Sequence, residues 1–221
     1  LQSVVLDVLL LPRPGERQWS ETIQHPSPRI LDGLAESLAL LGSSDDLIDP
    51  PALAWEGRAK PASAWADETV QTLLSGDVER WATLAPWLPL LAEAGPQPFL
   101  LALLRQLEGD ARALWEHPAL RGAAGREPLL FALQILGWDS ALMPQVARCF
   151  LHLLTVDTEP HRAVHPRPLS CLSYLLGFAR PQTNASPEQR LATLSELAHD
   201  PQFRDMVRVL LLHLWSEGPI R

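Results

Sequence analysis

His161 and His165 stand four residues apart, and Cys171 follows close behind. On a helix that spacing would set both imidazoles on one face, as a zinc site requires. Structural zinc takes four ligands, and no fourth is evident nearby. Pro160, Pro166 and Pro168 also interrupt the segment, so no helix presents the two histidines together. The expectation is loop histidines, a buried Cys171 acting as a small hydrophobe, and no bound metal.

Asp45, Asp46 and Asp49 form an acidic knot. Paired carboxylates can hold Mg²⁺ or act as acid and base. In a Ser- and Pro-rich stretch the expected role is a solvated turn with Asx-type hydrogen bonds. The only lysine, Lys60, lacks the Gly-rich context of a phosphate-binding loop. The dinucleotide fingerprint, the nucleophile elbow and the zinc-protease helix are absent as well. No nucleophile, base and orienting group can be assembled, so neither an enzyme nor a cofactor is expected. Asn184-Ala185-Ser186 matches a glycosylation sequon. Ser186 has a better use: with Gln189 three residues later it resembles a capping box.

The elements that would position these residues are helices. Leu and Ala dominate, β-branched residues are few, and the 21 prolines mostly separate Leu/Ala runs. Net charge is −8, which argues against a nucleic-acid face because such faces need clustered positive charge. Two cysteines, Cys149 and Cys171, make no disulfide framework and point to a reducing, cytoplasmic setting. No window approaches the roughly 18 apolar residues of a membrane span. The opening stretch has no basic n-region, no cleavage site and no initiator Met, so a piece of a longer protein is expected, without a signal peptide.

Helical spacing runs through Pro28–Gly42, with Gly42 as a stop. Residues 43–65 hold no sustained period and read as a long loop or linker. Helices are then expected at Ala66–Leu74, Val78–Ala94, Pro96–Leu107, Ala111–His117 and Glu127–Leu136. Ala141–Leu154, Leu169–Phe178, Pro187–Ala198 and Pro201–Trp215 follow. The resulting division is N-terminal helices at 1–42, a linker at 43–65 and a helical-repeat domain at 66–221.

Two stretches align without a gap: Leu133–Leu154 over Leu194–Trp215. Leu136 falls on Leu197, Asp139 on Asp200, Val146 on Val207 and His152 on His213. Each copy reads as a helix end, an Asp-containing turn and an amphipathic helix. A weaker third copy is Leu88–Leu107. Such units predict stacked hairpins, because one hairpin cannot cover its own apolar stripe. The paired histidines are expected to pack at the hairpins, each bonding a carbonyl or facing solvent.

Eight tryptophans stand beside one tyrosine. Trp suits seams between helix pairs and also binding hot spots. Core or seam is expected for most of them. Trp19 and Trp55, in loop-like context, are the exposed candidates. Arg162, His165 and Arg167, in the Pro-rich stretch between the two copies, complete the expected protein-binding set.

Leu31–Ser43, Leu84–Leu100, Leu129–Ala147 and His165–Leu194 together resemble the helical-repeat regions of large bacterial antiviral STAND-type NTPases. The resemblance covers most of the chain from about Leu31 onward. In that family a long helical array acts as sensor, recognising a phage protein and triggering assembly of an effector. The resemblance implies an all-α, irregular α-solenoid of stacked helix–turn–helix hairpins, HEAT- or TPR-like. It implies a protein partner, either a phage protein or other domains of a longer chain, and neither nucleic acid nor membrane. The family's nuclease and NTPase motifs are not in these residues, so no catalytic residue carries over. The alternatives are a structural spacer or an unlisted enzyme using His161, His165 or the Asp45–Asp49 knot.

Overall fold

Proline, aspartate and glycine set most element boundaries in the computed structural model, which describes residues 28–46, 52–55, 58–121, 123–158, 166–177 and 181–216. Helix α1 is Pro28–Gly42, followed by a 3-10 turn at Ser43–Asp46. Strands β1 (Ala52–Trp55) and β2 (Arg58–Pro61) pair antiparallel, with Trp55 opposite Arg58. Ten helices in all are described, the other nine being α2 Ala62–Leu73, α3 Val78–Leu84, α4 Leu88–Ala94, α5 Pro96–Trp115, α6 Ala123–Gly137, α7 Met143–Val156, α8 Pro168–Leu176, α9 Pro187–His199 and α10 Arg204–Ser216. The described residues are thus helical apart from turns and one short strand pair.

That strand pair corrects the expected linker at 43–65. Its four-residue strands fall below the window in which periodicity can be read, and they lie against α2. An isolated hairpin is marginal in water, so the packing on α2 supplies its stability. Helix α2 also starts four residues earlier than its apolar pattern, directly after Pro61. The expected single helix Val78–Ala94 is divided by a 3-10 turn at Ala85–Trp87. Pro86 and Pro89 cannot donate backbone N–H groups, which removes the bonds a continuous helix would need there. Within α5, Asp110 is extended (φ −151°, ψ 85°), and its carboxylate accepts from Ala113 N at 2.9 Å. Asp110 therefore caps a second short segment, which separates the two helices expected at Pro96–Leu107 and Ala111–His117.

Contacts divide the chain into two compact units, Leu1–Ala102 and Leu103–Arg221, a division inside the span expected as one repeat domain. In the first unit α1 packs on α2 and α4. The apolar residues at helical spacing on α1, Ile30, Leu31, Leu34, Leu38 and Leu41, are only partly inside: Leu38 is buried, while Ile30 is exposed. Ala35 and Ala39 take the deep positions instead. The reason is close approach. A Cβ on Gly42 would lie 2.0 Å from the Ala94 carbonyl oxygen, so only glycine fits at that crossing. Trp87 donates its indole N–H to Asp32 at 2.9 Å and ties α1 near its other end.

In the second unit α7 is central, in contact with α6, α8, α9 and α10. Gly137 permits α6 to meet α8, since a Cβ there would stand 2.5 Å from Leu175. Arg126 lies 4.1 Å over the Trp115 ring and donates to the Trp115 carbonyl, so a buried arginine has both partners it needs.

The two aligned turns are closed by the same hydrogen bonds. In the first, Asp139 N reaches Leu136 O, Leu142 N and Met143 N reach Asp139 O, and Ala141 N reaches the Asp139 carboxylate at 2.9 Å. In the second, Asp200 N reaches Leu197 O, Phe203 N and Arg204 N reach Asp200 O, and Gln202 N reaches the Asp200 carboxylate at 3.0 Å. Every donor and acceptor occupies the aligned position. The third stretch differs: a single residue, Gly95, joins α4 to α5, and its N–H bonds to Leu91 O. With no Asp to fold the Asx turn, Leu88–Leu107 forms another kind of corner.

Candidate functional site

Trp19, Asp49, His161, Arg162 and His165 lie outside the described residues. Asp45 and Asp46 belong to the 3-10 turn after α1, and Trp55 belongs to β1. Cys171 is buried on α8, as expected, and burial pushes its thiol up to about 11. Burial also raises the Cys149 thiol, so neither sulfur is a ready nucleophile. Among the described residues no group of three His, Cys, Asp or Glu could hold a metal ion. No described helix is long and apolar enough to cross a membrane.

Arg167 is placed differently from the expected partner-contacting surface. It is 9% exposed and forms an ion pair with Asp157, with Nε 2.8 Å from Oδ2. Its backbone caps α8: Arg167 N donates to Ser170 Oγ, which donates back to Arg167 O. A Pro-flanked arginine reads as a loop residue in sequence, but its guanidinium is held by Asp157, the residue after α7. At the start of α9 the expected capping box is present, with Gln189 N on Ser186 Oγ and Ser186 N on Gln189 Oε1.

A seam joins the two matched hairpins. His152 on α7 meets Phe203 edge-on, ring centroids 4.9 Å apart. Arg148, one turn back, lies over the same ring at 5.7 Å and reaches Asp200 at 3.4 Å and Glu196 at 3.7 Å. The packing expected of His152 at its hairpin is thus made against the Phe203 ring. Burial lowers the His152 pKa from 6.5, Arg148 adds to that, and Glu108 and Asp200 oppose it. The folded chain therefore binds a proton less readily than the unfolded chain. His152 contributes stability that is full above about 6.5 and is lost as pH falls below it. The wild type is expected to lose more melting temperature between pH 8 and pH 5 than His152→Gln. Equal losses would show that other groups carry the acid sensitivity.

Exposed aromatics stand on α6, in the turn that follows it and on α8. Phe131 on α6 and Trp138 in the turn directly after it are 53% and 59% exposed. Tyr174 on α8 is 50% exposed. One short segment holds the last two residues together. Gln182 N donates to Tyr174 O at 2.7 Å, and Asn184 N donates to Trp138 O at 2.9 Å. Residues 182 and 184 are two apart, a span of at most about 7 Å. Thr183 Oγ1 also donates to Trp138 O, and Ser140 N donates to Asn184 Oδ1. Asn184, the sequon residue, is thereby a structural tie. Trp138 sits on a backbone fixed from both sides while its ring faces solvent. Against the core or seam position expected for most tryptophans, Trp138 and Trp215 are both exposed, Trp215 at 86%. Trp65, Trp81, Trp87 and Trp115 are buried.

The described residues define a mainly helical protein in which two αα hairpins share one turn chemistry. Comparison with protein-family models, curated proteins and solved structures finds no match.

Proposed function

We propose that this chain is a non-enzymatic, protein-binding helical segment, an irregular α-solenoid serving as sensor or scaffold in a larger bacterial defence protein. The Phe131–Trp138–Tyr174 surface carries the reading. Rigid, half-exposed aromatics on a hydrogen-bonded support lose little entropy on binding, and they are the side chains that dominate binding hot spots. The matched hairpins and the seam between them support a stacked array. The defence setting and a phage-protein partner rest on the resemblance of Leu31–Ser43 and the later stretches to STAND-type sensor arrays. The net charge of −8 supports a protein partner over nucleic acid.

Binding to a panel of phage structural proteins tests this. The double variant Trp138→Ala/Tyr174→Ala is expected to keep the wild-type circular dichroism and melting temperature. It should bind the recovered partner at least roughly thirtyfold more weakly, the loss of about 2 kcal/mol that defines a hot spot. Undiminished binding by the double variant would remove this surface from the function. Failure of the wild type to recover any partner would leave a spacer between other domains as the better account.

A further inference from the structure

Three helices reach back to the helix before them with an arginine in their first turn. Arg80, the third residue of α3, donates to Thr72 O in the last turn of α2 at 3.4 Å. Arg126, the fourth residue of α6, donates to Trp115 O at the end of α5 at 3.1 Å. Arg190, the fourth residue of α9, donates to the carbonyl of Gly177, the residue that closes α8. The final carbonyls of a helix have no partner within it, and they form the negative end of its dipole. An arginine placed there supplies both a donor and a positive charge. Of the three, Arg190 is the most deeply set, at 4% exposed.

The segment between Gly177 and Arg190 gives this third bond its reach. The end of α8 is held twice, Gly177 O by Arg190 and Tyr174 O by Gln182 N. Two residues on, Asn184 N holds Trp138 O. The capping box of Ser186 and Gln189 then joins the segment to the turn of α9 that carries Arg190. We infer that Arg190 is a positioning residue for the Trp138–Tyr174 surface: by pinning the start of α9 to the end of α8, it fixes the Gln182–Asn184 segment to which both backbones are bonded. The inference rests on the binding role proposed for that surface. Arg190 itself is buried and acts through the segment, not by touching a partner.

Residue-resolved amide exchange of the full chain tests this, with Val146 in α7, bonded to Leu142 O, as the control amide. Arg190→Met keeps the apolar stem and removes the donor. It is expected to lower protection of the Gln182 and Asn184 amides at least roughly tenfold and to leave Val146 unchanged. Arg190→Lys, which keeps a donor and a positive charge, should restore most of that protection. Unchanged protection at Gln182 and Asn184 overturns the proposal. An equal fall at all three amides also overturns it, because that is the mark of a residue that stabilises the whole unit. If the Met variant does not fold, the wild type decides: the Gln182, Asn184 and Arg190 amides must open together with one dependence on urea, and separate dependences overturn the proposal. Affinity for a partner recovered from the phage-protein panel is expected to fall with Arg190→Met, although both aromatics are intact. Exchange needs no partner, so lost protection with full affinity counts against the binding role of the surface and leaves the position of Arg190 standing.

Discussion

Replacing Trp81 by alanine is expected to destabilise the first unit by about 3–5 kcal/mol, the range for deleting a large aromatic from a core. Trp81 is 1% exposed on α3 and stands edge-to-face on Phe99 of α5, with centroids 5.8 Å apart and planes at 66°. It is among the largest fully buried side chains, so the cavity left by alanine has no nearby surplus of atoms to fill it. Trp81→Phe is a more searching variant. The indole N–H has no hydrogen-bond partner among the described residues. An unpaired buried donor costs about 1–3 kcal/mol, which offsets much of the area lost on going to phenylalanine. The expected order is therefore a severe loss for alanine and a loss under about 1.5 kcal/mol for phenylalanine. Hydrogen exchange read by peptide checks both, because protection in α3 and α5 reports this core without assuming one cooperative transition for both units. Alanine and phenylalanine variants of equal protection would mean that Trp81 acts through its N–H and not through its volume.

Local chemistry was legible in the sequence wherever a residue acts on its own neighbours. Ser186 with Gln189 formed its capping box, and Asp139 and Asp200 folded matched turns, because each bond spans two or three residues. The gap-free alignment found the same pair of hairpins that the hydrogen bonds define. What escaped depends on distance through space. Nothing beside Gly42 announces that the Ala94 backbone lies against it, and so the alanines on α1 outrank the larger Leu31 and Leu34 as core. Trp138 and Trp215 read as seam residues because indoles usually cover a neighbour. Their exposure follows from the direction in which the Asp139 turn and the outer face of α10 point. The signal for the His152 seam was present in the His152–His213 correspondence, but its partner Phe203 could be named only from the packing. The strand pair was lost for a different reason: four residues hold too few alternations to be told from a loop.

Arg167 decides between a contact residue and a structural one, and the two roles make opposite forecasts. Arg167→Met keeps the length and apolar stem of the side chain, and keeps the backbone bonds to Ser170 that cap α8. It removes the guanidinium from Asp157, whose side chain is 2% exposed against 11% for Arg167. A buried carboxylate deprived of its cation costs about 3–5 kcal/mol, more than the intact pair contributes, because desolvation of the remaining charge goes uncompensated. Adding Asp157→Leu to the variant removes that charge and should recover most of the loss, to within about 1–2 kcal/mol of the wild type. This non-additivity is the signature: two substitutions together cost less than one alone, as neighbours in one ion pair must. Urea denaturation of the wild type, both single variants and the double variant gives the coupling directly. In sequence Asp157 and Arg167 flank His161, Arg162 and His165, so the same four proteins also test whether those residues need the pair for binding. A structural Arg167 lowers the midpoint and leaves partner affinity intact in the double variant. A contact-making Arg167 leaves the midpoint near the wild type and loses affinity in every protein that lacks the guanidinium.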